Sequence, residues 1–253
     1  MVESFCLQFY KILLGLKKSS PNCILYGELG RYPIDIFIKC RMIAFWQRIV
    51  CNRQDKILQF CINYWIICIF SIFFHSKWVC CIEKLLNDCG LSEYWLTQNV
   101  PKNVILSKIV KQRLCDQFKQ SWSESVFTLA KCLNYRIFKC IHQFESYLVQ
   151  LPYDLRKAYC NYRCLNHRLS IEKGRFWGVK MDDRICDLCD LEHTGDEFHY
   201  LFECTYFERE RKQLLPNIQK SNVLIYHDLL NDNDIKNCIK IAKFCKIILI
   251  AIN

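Results

Sequence analysis

Four residues in the last third of the chain have the types and spacing of a metal site. They are Cys186, Cys189, His199 and Cys204, in the pattern C-x2-C-x9-H-x4-C. Two cysteines three apart fit one tight turn and can offer both sulfurs to a single ion. A histidine and a cysteine five apart suit the first turns of a helix or a short extended segment, which closes a tetrahedron. Four nitrogen and sulfur ligands with no open position is the chemistry of structural zinc rather than of an activated water. The loop between the pairs, Leu191 to Glu197, is polar, and its Gly195 is expected to permit the chain reversal. With 19 cysteines in 253 residues a chance C-x-x-C is easy to find, so the specificity lies in the full four-residue pattern.

The elements that must position this knuckle read as helices. Hydrophobic residues make up 52% of the chain and aromatics 14%, which excludes a disordered tail. Only 7 Gly and 5 Pro punctuate 253 residues, so long helices are favoured over a many-turned β-architecture. The pattern predicts a mainly α, irregular multi-helix assembly with helices at 3–18, 34–51, 55–88, 103–122, 124–147, 153–167, 199–213 and 234–250. Pro33 and Pro152 suit helix starts and Gly90 a stop. In the 103–122 helix, Ile105, Ile109, Leu114, Phe118 and Trp122 form the expected apolar stripe. Two regions are expected, 1–150 and 151–253, the second holding a basic helical segment, the zinc module at 184–208 and C-terminal helices.

The remaining cysteines are scattered through apolar runs, and the N-terminus has neither a basic region nor a small-residue cleavage site. That reads as an intracellular protein, cytoplasmic or nuclear, whose other thiols act as small hydrophobes. Ile57 to Ser76 carries no formal charge over 20 residues, enough to span a bilayer. Gln59, Asn63 and His75 interrupt it, which favours a buried helix over a membrane span.

Charge is uneven within the net +10: from Pro101 to Arg184 there are 16 Lys/Arg against 7 Asp/Glu. Arg163, Arg168, Lys173 and Arg175 lie among aromatics and amides, beside Trp177. This mixture suits a groove for RNA or DNA, the cations meeting phosphates and Trp177 stacking on a base or bracing the knuckle. A solvated helix face is the plainer alternative. The knuckle itself is acidic (Asp187, Asp190, Glu192, Asp196, Glu197, Glu203), so it would orient the basic segment rather than grip a phosphate.

Several segments carry a resemblance. Gly27-Glu-Leu-Gly-Arg-Tyr-Pro33 and Arg41-Met-Ile-Ala-Phe-Trp46, followed by Asp88-Cys-Gly-Leu-Ser92, are the first. Asp116-Gln-Phe-x-Gln-x-Trp122, then Leu165, Asn166, Arg168 and Leu169, follow in order. Last come Arg184-Ile-Cys-x-Leu-Cys189 and Gly195-Asp-Glu-Phe-His-Tyr-Leu-Phe-x-Cys204. Together they resemble the C-terminal part of non-LTR, LINE-like retrotransposon reverse transcriptases, over roughly residues 21–215. The last pair is similar to the zinc-binding module of those proteins. The resemblance implies a region downstream of the polymerase palm that helps hold template RNA or target DNA. It transfers only the ligands Cys186, Cys189, His199 and Cys204.

Polymerase chemistry needs carboxylates for two Mg²⁺, delivered by an aromatic-x-Asp-Asp hairpin between strands. Lys180-Met-Asp-Asp183 has Lys where an aromatic is expected, and a zinc loop follows instead of a strand. Asp182 and Asp183 are therefore expected on an exposed turn without a catalytic role, with the palm and any endonuclease lying before Met1. The expected function is that of a zinc-stabilised nucleic-acid-binding module, inactive alone, with the upstream polymerase region as a further partner. The alternative is a structural or protein-interaction remnant.

Overall fold

In the computed structural model, residues 2–51, 60, 77–101, 103–216 and 222–252 are described. The fold is mainly α. Its helices are α1 (Val2–Leu14), α2 (Asn22–Leu29), α3 (Ile34–Cys51), α4 (Lys77–Asp88), α5 (Ser92–Thr97), α6 (Leu106–Thr128) and α7 (Tyr135–Phe138). There follow α8 (Tyr147–Gln150), α9 (Tyr153–Arg163), α10 (Ser170–Phe176), α11 (Glu208–Leu214), α12 (Val223–Leu230) and α13 (Ile235–Ala251). Among the described residues the β-type pairings are two isolated bridges, Leu29 with Phe144 and Ile185 with Thr194. Pro21, Pro33 and Pro152 each precede the first residue of a helix, where a fixed φ suits the turn.

Two compact units divide the chain, residues 1–31 with 122–253, and residues 32–121. The division expected at 150 falls inside the first unit. The second unit is built on α3, α4, α5 and the first part of α6, around Ile43, Trp46, Ile82, Leu86, Leu106 and Val110. The α6 stripe keeps the expected Leu114 and Trp122 buried, with Ile109 and Phe118 packed against the core, and departs from the expected one at Ile105, which precedes the helix. Leu106, Val110 and Leu114 are buried, whereas Ile105 is exposed and Ile109 and Phe118 are half-buried. At the helix start the Gln47 carboxamide accepts a hydrogen bond from the Leu106 N–H at 3.1 Å, which occupies an otherwise unpaired donor.

In the first unit α9 and α13 are the main packing pair. α13 buries Cys238, Ile241, Ala242, Cys245 and Ile248 and α9 buries Ala158, Tyr159 and Tyr162, and the two helices pack together. Every described cysteine is free, and Cys160, Cys164, Cys238 and Cys245 are buried among the apolar side chains. The helix expected over 124–147 does not form. Instead α6 runs on to Thr128, and the chain to 146 is a 3₁₀ turn, the short α7 and an irregular stretch. That stretch spends its backbone on α2: the Glu145 N–H donates to the Glu28 carbonyl at 3.0 Å, beside the Leu29–Phe144 bridge. Gly30 makes the approach feasible. It has φ +57°, and a Cβ there would lie 2.2 Å from the Phe144 nitrogen.

The same region buries Arg163, which corrects its expected role at a phosphate. The guanidinium has no exposure and reaches Glu28 through Nε (3.1 Å) and Nη2 (3.2 Å). Nη2 also lies 3.1 Å from Glu145 Oε2, and Phe138 and Tyr147 face the guanidinium at 4.7 and 5.2 Å. Glu28 is completed by hydroxyls donated from Tyr135 (3.1 Å) and Tyr147 (2.6 Å). Burying a charge demands such pairing, and this network ties α2 to α9.

The helices α2, α5, α10 and α12 were not expected. Each has six to eight residues, and α2 is buried from Cys23 to Glu28, so no polar face marks it. Among the described residues no helix is long and apolar enough to cross a membrane. The 57–76 stretch and most of the helix expected at 55–88 lie outside the described residues.

Candidate functional site

The knuckle begins as a short hairpin. The Cys186 N–H donates to the His193 carbonyl (2.9 Å) and the Gly195 N–H to the Arg184 carbonyl (2.8 Å), flanking the Ile185–Thr194 bridge. The left-handed residue of the loop is Glu192, φ +55°, so Gly195 does not make the reversal. Gly195 serves close packing instead: a Cβ there would lie 2.7 Å from Ser170 Cβ and 3.0 Å from the Cys186 Cα. Gly195→Ala is accordingly expected to cost about 1–3 kcal/mol by overpacking and to weaken metal retention. Thermal melts with and without chelator check this; unchanged retention would refute it.

The helix expected over 199–213 is divided. His199–Glu203 form a π-helical turn, Cys204 is extended, a 3₁₀ turn follows, and α11 starts at Glu208. The Asp196 carboxylate caps the π turn by accepting from the His199 N–H at 2.8 Å. The wider turn closes with a Cys204 N–H to His199 carbonyl bond of 2.9 Å, which puts the imidazole and the Cys204 sulfur on one side.

The ligand atoms of Cys186, Cys189, His199 and Cys204 all lie within 4.8 Å of one another, so the four expected residues form one cluster able to hold a metal ion. Cys186 and Cys204 sulfurs are 3.9 Å apart, and Cys189 Sγ is 3.3 Å from His199 Nε2. His199, Cys186 and Cys204 are buried and Cys189 half-buried. His193 stays outside this set. It and His199 each direct Nδ1 to Glu203 Oε2, at 3.1 and 3.3 Å. Glu203 thus fixes the His199 ring with Nε2 toward the thiols, the usual task of a carboxylate behind a ligating imidazole. The four side chains are close enough to hydrogen-bond one another. Hydrogen bonding from Cys204 lowers the Cys186 thiol to about 3 against the opposing effect of burial. Burial works against charge on His199, but Cys186, Cys189 and Glu203 outweigh it and lift the imidazole to about 9. A cation would take the place of those hydrogen-bonding protons.

The knuckle grips α10. The Ile171 N–H donates to the Gly195 carbonyl (3.0 Å), and Arg184 Nη1 donates to the Ile171 carbonyl (3.2 Å). Lys173 Nζ lies 3.0 Å from Asp187 Oδ2, while Asp187 Oδ1 accepts from Tyr200 (3.0 Å) and Ser170 (3.2 Å). Glu197 anchors the other side, 2.9 Å from His167 Nε2 and hydrogen-bonded by Asn134. Neither Asn134 nor His167 stood out in the sequence, where single polar residues in apolar surroundings carry no spacing signal.

Arg168, Lys173, Arg175 and Trp177 line one cleft of about 650 Å³. Arg163 is not among them. Lys17 and Lys131 are, Lys17 from a segment far outside the basic 101–184 stretch and Lys131 from within it. Arg168 and Trp177 are exposed, Lys173 is paired with Asp187, and Arg175 with Glu172. Asp182 and Asp183 lie in an exposed 3₁₀ turn, as expected. Comparison of the chain with protein-family models, with curated proteins and with solved structures finds no match.

Proposed function

We propose that the chain is a zinc-stabilised nucleic-acid-binding module of the kind that follows the palm in non-LTR retrotransposon reverse transcriptases, without polymerase chemistry of its own. The observation that carries this reading is the coupling of the four-ligand cluster to α10, whose basic and aromatic residues edge a cleft. Three thiolates and an imidazole with no open position are a structural zinc donor set. A zinc tetrahedron with bonds of about 2.3 Å to sulfur and 2.0–2.1 Å to nitrogen has edges of about 3.5–3.8 Å. The 3.9 and 3.3 Å separations fit it. The ion would supply cohesion, holding the hairpin to the π turn, and α10 would then be braced from behind.

Salt-titrated binding tests the reading. Log K for a single strand should fall against log salt with a slope of about −0.7 per phosphate contact. Replacing Arg168, Lys173 and Arg175 together by Ala should flatten it by up to about two units while zinc content stays at one per chain. Absence of salt-dependent binding by the parent protein would overturn the reading. It would favour the second one, a protein-interaction remnant, for which the exposed Phe5, Phe9, Ile12 and Leu13 of α1 are the supporting observation.

A further inference from the structure

We infer that the cleft beside α10 seats one unstacked nucleotide of a single strand, with its phosphates toward Lys17, Lys131 and Arg168 and its base on Trp177. This rests on the nucleic-acid reading above and narrows it to a ligand and a place. Charge is the first argument. The cleft is lined by five Lys/Arg and a single carboxylate, Glu172. Glu172 is already shared by Lys131, at 3.5 Å, and Arg175. Among the described residues, Lys17 and Arg168 have no carboxylate partner. An excess of cations converging from three separate segments is a site for an anion with several oxygens, and phosphate is the one that repeats along a strand.

The aromatics supply the second argument. Phe176 and Trp177 are 82% and 77% exposed at the end of α10, although large rings of this kind are normally covered. Their planes stand at 87° with centroids 5.2 Å apart, so Phe176 meets its neighbour edge to face and the pair offers no internal stack. A base laid on the indole would cover it, and bases are free to do so only where they are not stacked in a duplex. The volume, about 650 Å³, falls within the roughly 300–1,000 Å³ of sites that enclose small ligands. It is too small for a helix of nucleic acid and suited to one nucleotide at a time. His167 and Leu165, both buried, complete the lining.

Fluorescence anisotropy on the full, zinc-loaded chain tests this with a labelled oligothymidylate, the corresponding duplex, and thymidine monophosphate as competitor. The parent is expected to prefer the single strand to the duplex, with the monophosphate displacing it only at far higher concentration. Trp177→Ala should weaken strand binding by about fivefold or more with the salt slope kept, and Trp177→Phe should retain most of it. Lys17→Gln with Lys131→Gln should lower the slope by about 1.4, two contacts' worth, with zinc content unchanged. These side chains are on the surface or at its edge, so the fold should survive, which circular dichroism checks. If both variants match a parent that still binds with a steep slope, the cleft is wrong and the module reading stands. A monophosphate that competes as tightly as the strand overturns the strand assignment. A parent that binds nothing removes the module reading itself.

Discussion

Arg163→Ala is expected to lose about 3–5 kcal/mol of folding stability, because it leaves the buried Glu28 carboxylate without its cation, whereas Glu145 keeps its ion pair with Lys139. Most domains have only about 5–15 kcal/mol in total, so the variant should unfold at much lower denaturant or fail to unfold cooperatively at all. The exposed Arg168→Ala should stay within about 0.5 kcal/mol of the parent. Two arginines five residues apart would then separate cleanly, one a fold residue and the other a surface one. The double variant Glu28→Gln with Arg163→Met should recover part of the loss, since it removes the stranded charge and keeps volume. The network also sets an acid limit. Burial pushes the Glu28 carboxyl up, but Arg163 and Lys139 overcome it and hold the group below its ordinary value. Its contribution is therefore complete above the unfolded pKa of about 4.3 and is lost as pH falls through the lower folded value. Urea melts of Arg163→Ala that match the parent would refute the assignment, most directly if nucleic-acid binding fell instead.

The four-residue cluster was legible in the sequence because the chemistry of a metal site fixes both type and spacing: two thiols on one turn, then an imidazole and a thiol across a second. The role of Arg163 was not. Local charge density is blind to whether a residue on the same helix faces solvent or Glu28, which lies 135 positions away. The same blindness kept Lys17, far outside the basic stretch, from being joined to it, and the 124–147 helix was overdrawn because its C-terminal end is bound to α2 by backbone pairing. Gly195 was legible as needed but not for its reason, since crowding against Ser170 depends on a segment that periodicity cannot place. Long amphipathic helices came through, α3 and α13 nearly to the residue. Short buried ones such as α2 did not, having neither length nor a polar face.

On the zinc reading proposed above, removal of the metal is expected to unfold the knuckle and, with it, the seat of α10. Structural zinc in comparable peptides supplies about 10–16 kcal/mol at neutral pH, as much as the whole stability of many domains. Apart from the ion, residues 184–204 are held by one β-bridge with its two flanking hydrogen bonds, by the contacts of Asp187, Gly195 and Glu197 with α10, His167 and Asn134, and by the Arg211 guanidinium donating to the Leu201 and Cys204 carbonyls at 2.8 and 2.7 Å. Treatment with chelator should therefore release one zinc per chain, and Cys186, Cys189 and the buried Cys204 should become open to alkylation. Cys204→Ser should reproduce that state. His193→Ala should keep its zinc, because His193 lies outside the ligand set, whereas Glu203→Gln should weaken affinity by about 10–100-fold by freeing the His199 ring. Acidification should also release the ion, since three thiolates and one imidazole must stay deprotonated to hold it. Lys173, Ile171 and Arg184 transmit the loss to α10 through Asp187, Gly195 and the Ile171 carbonyl, so strand binding should fall together with zinc. A chelated protein that keeps its melting profile and shields Cys204 as before would show that the cluster is only four side chains packed close together.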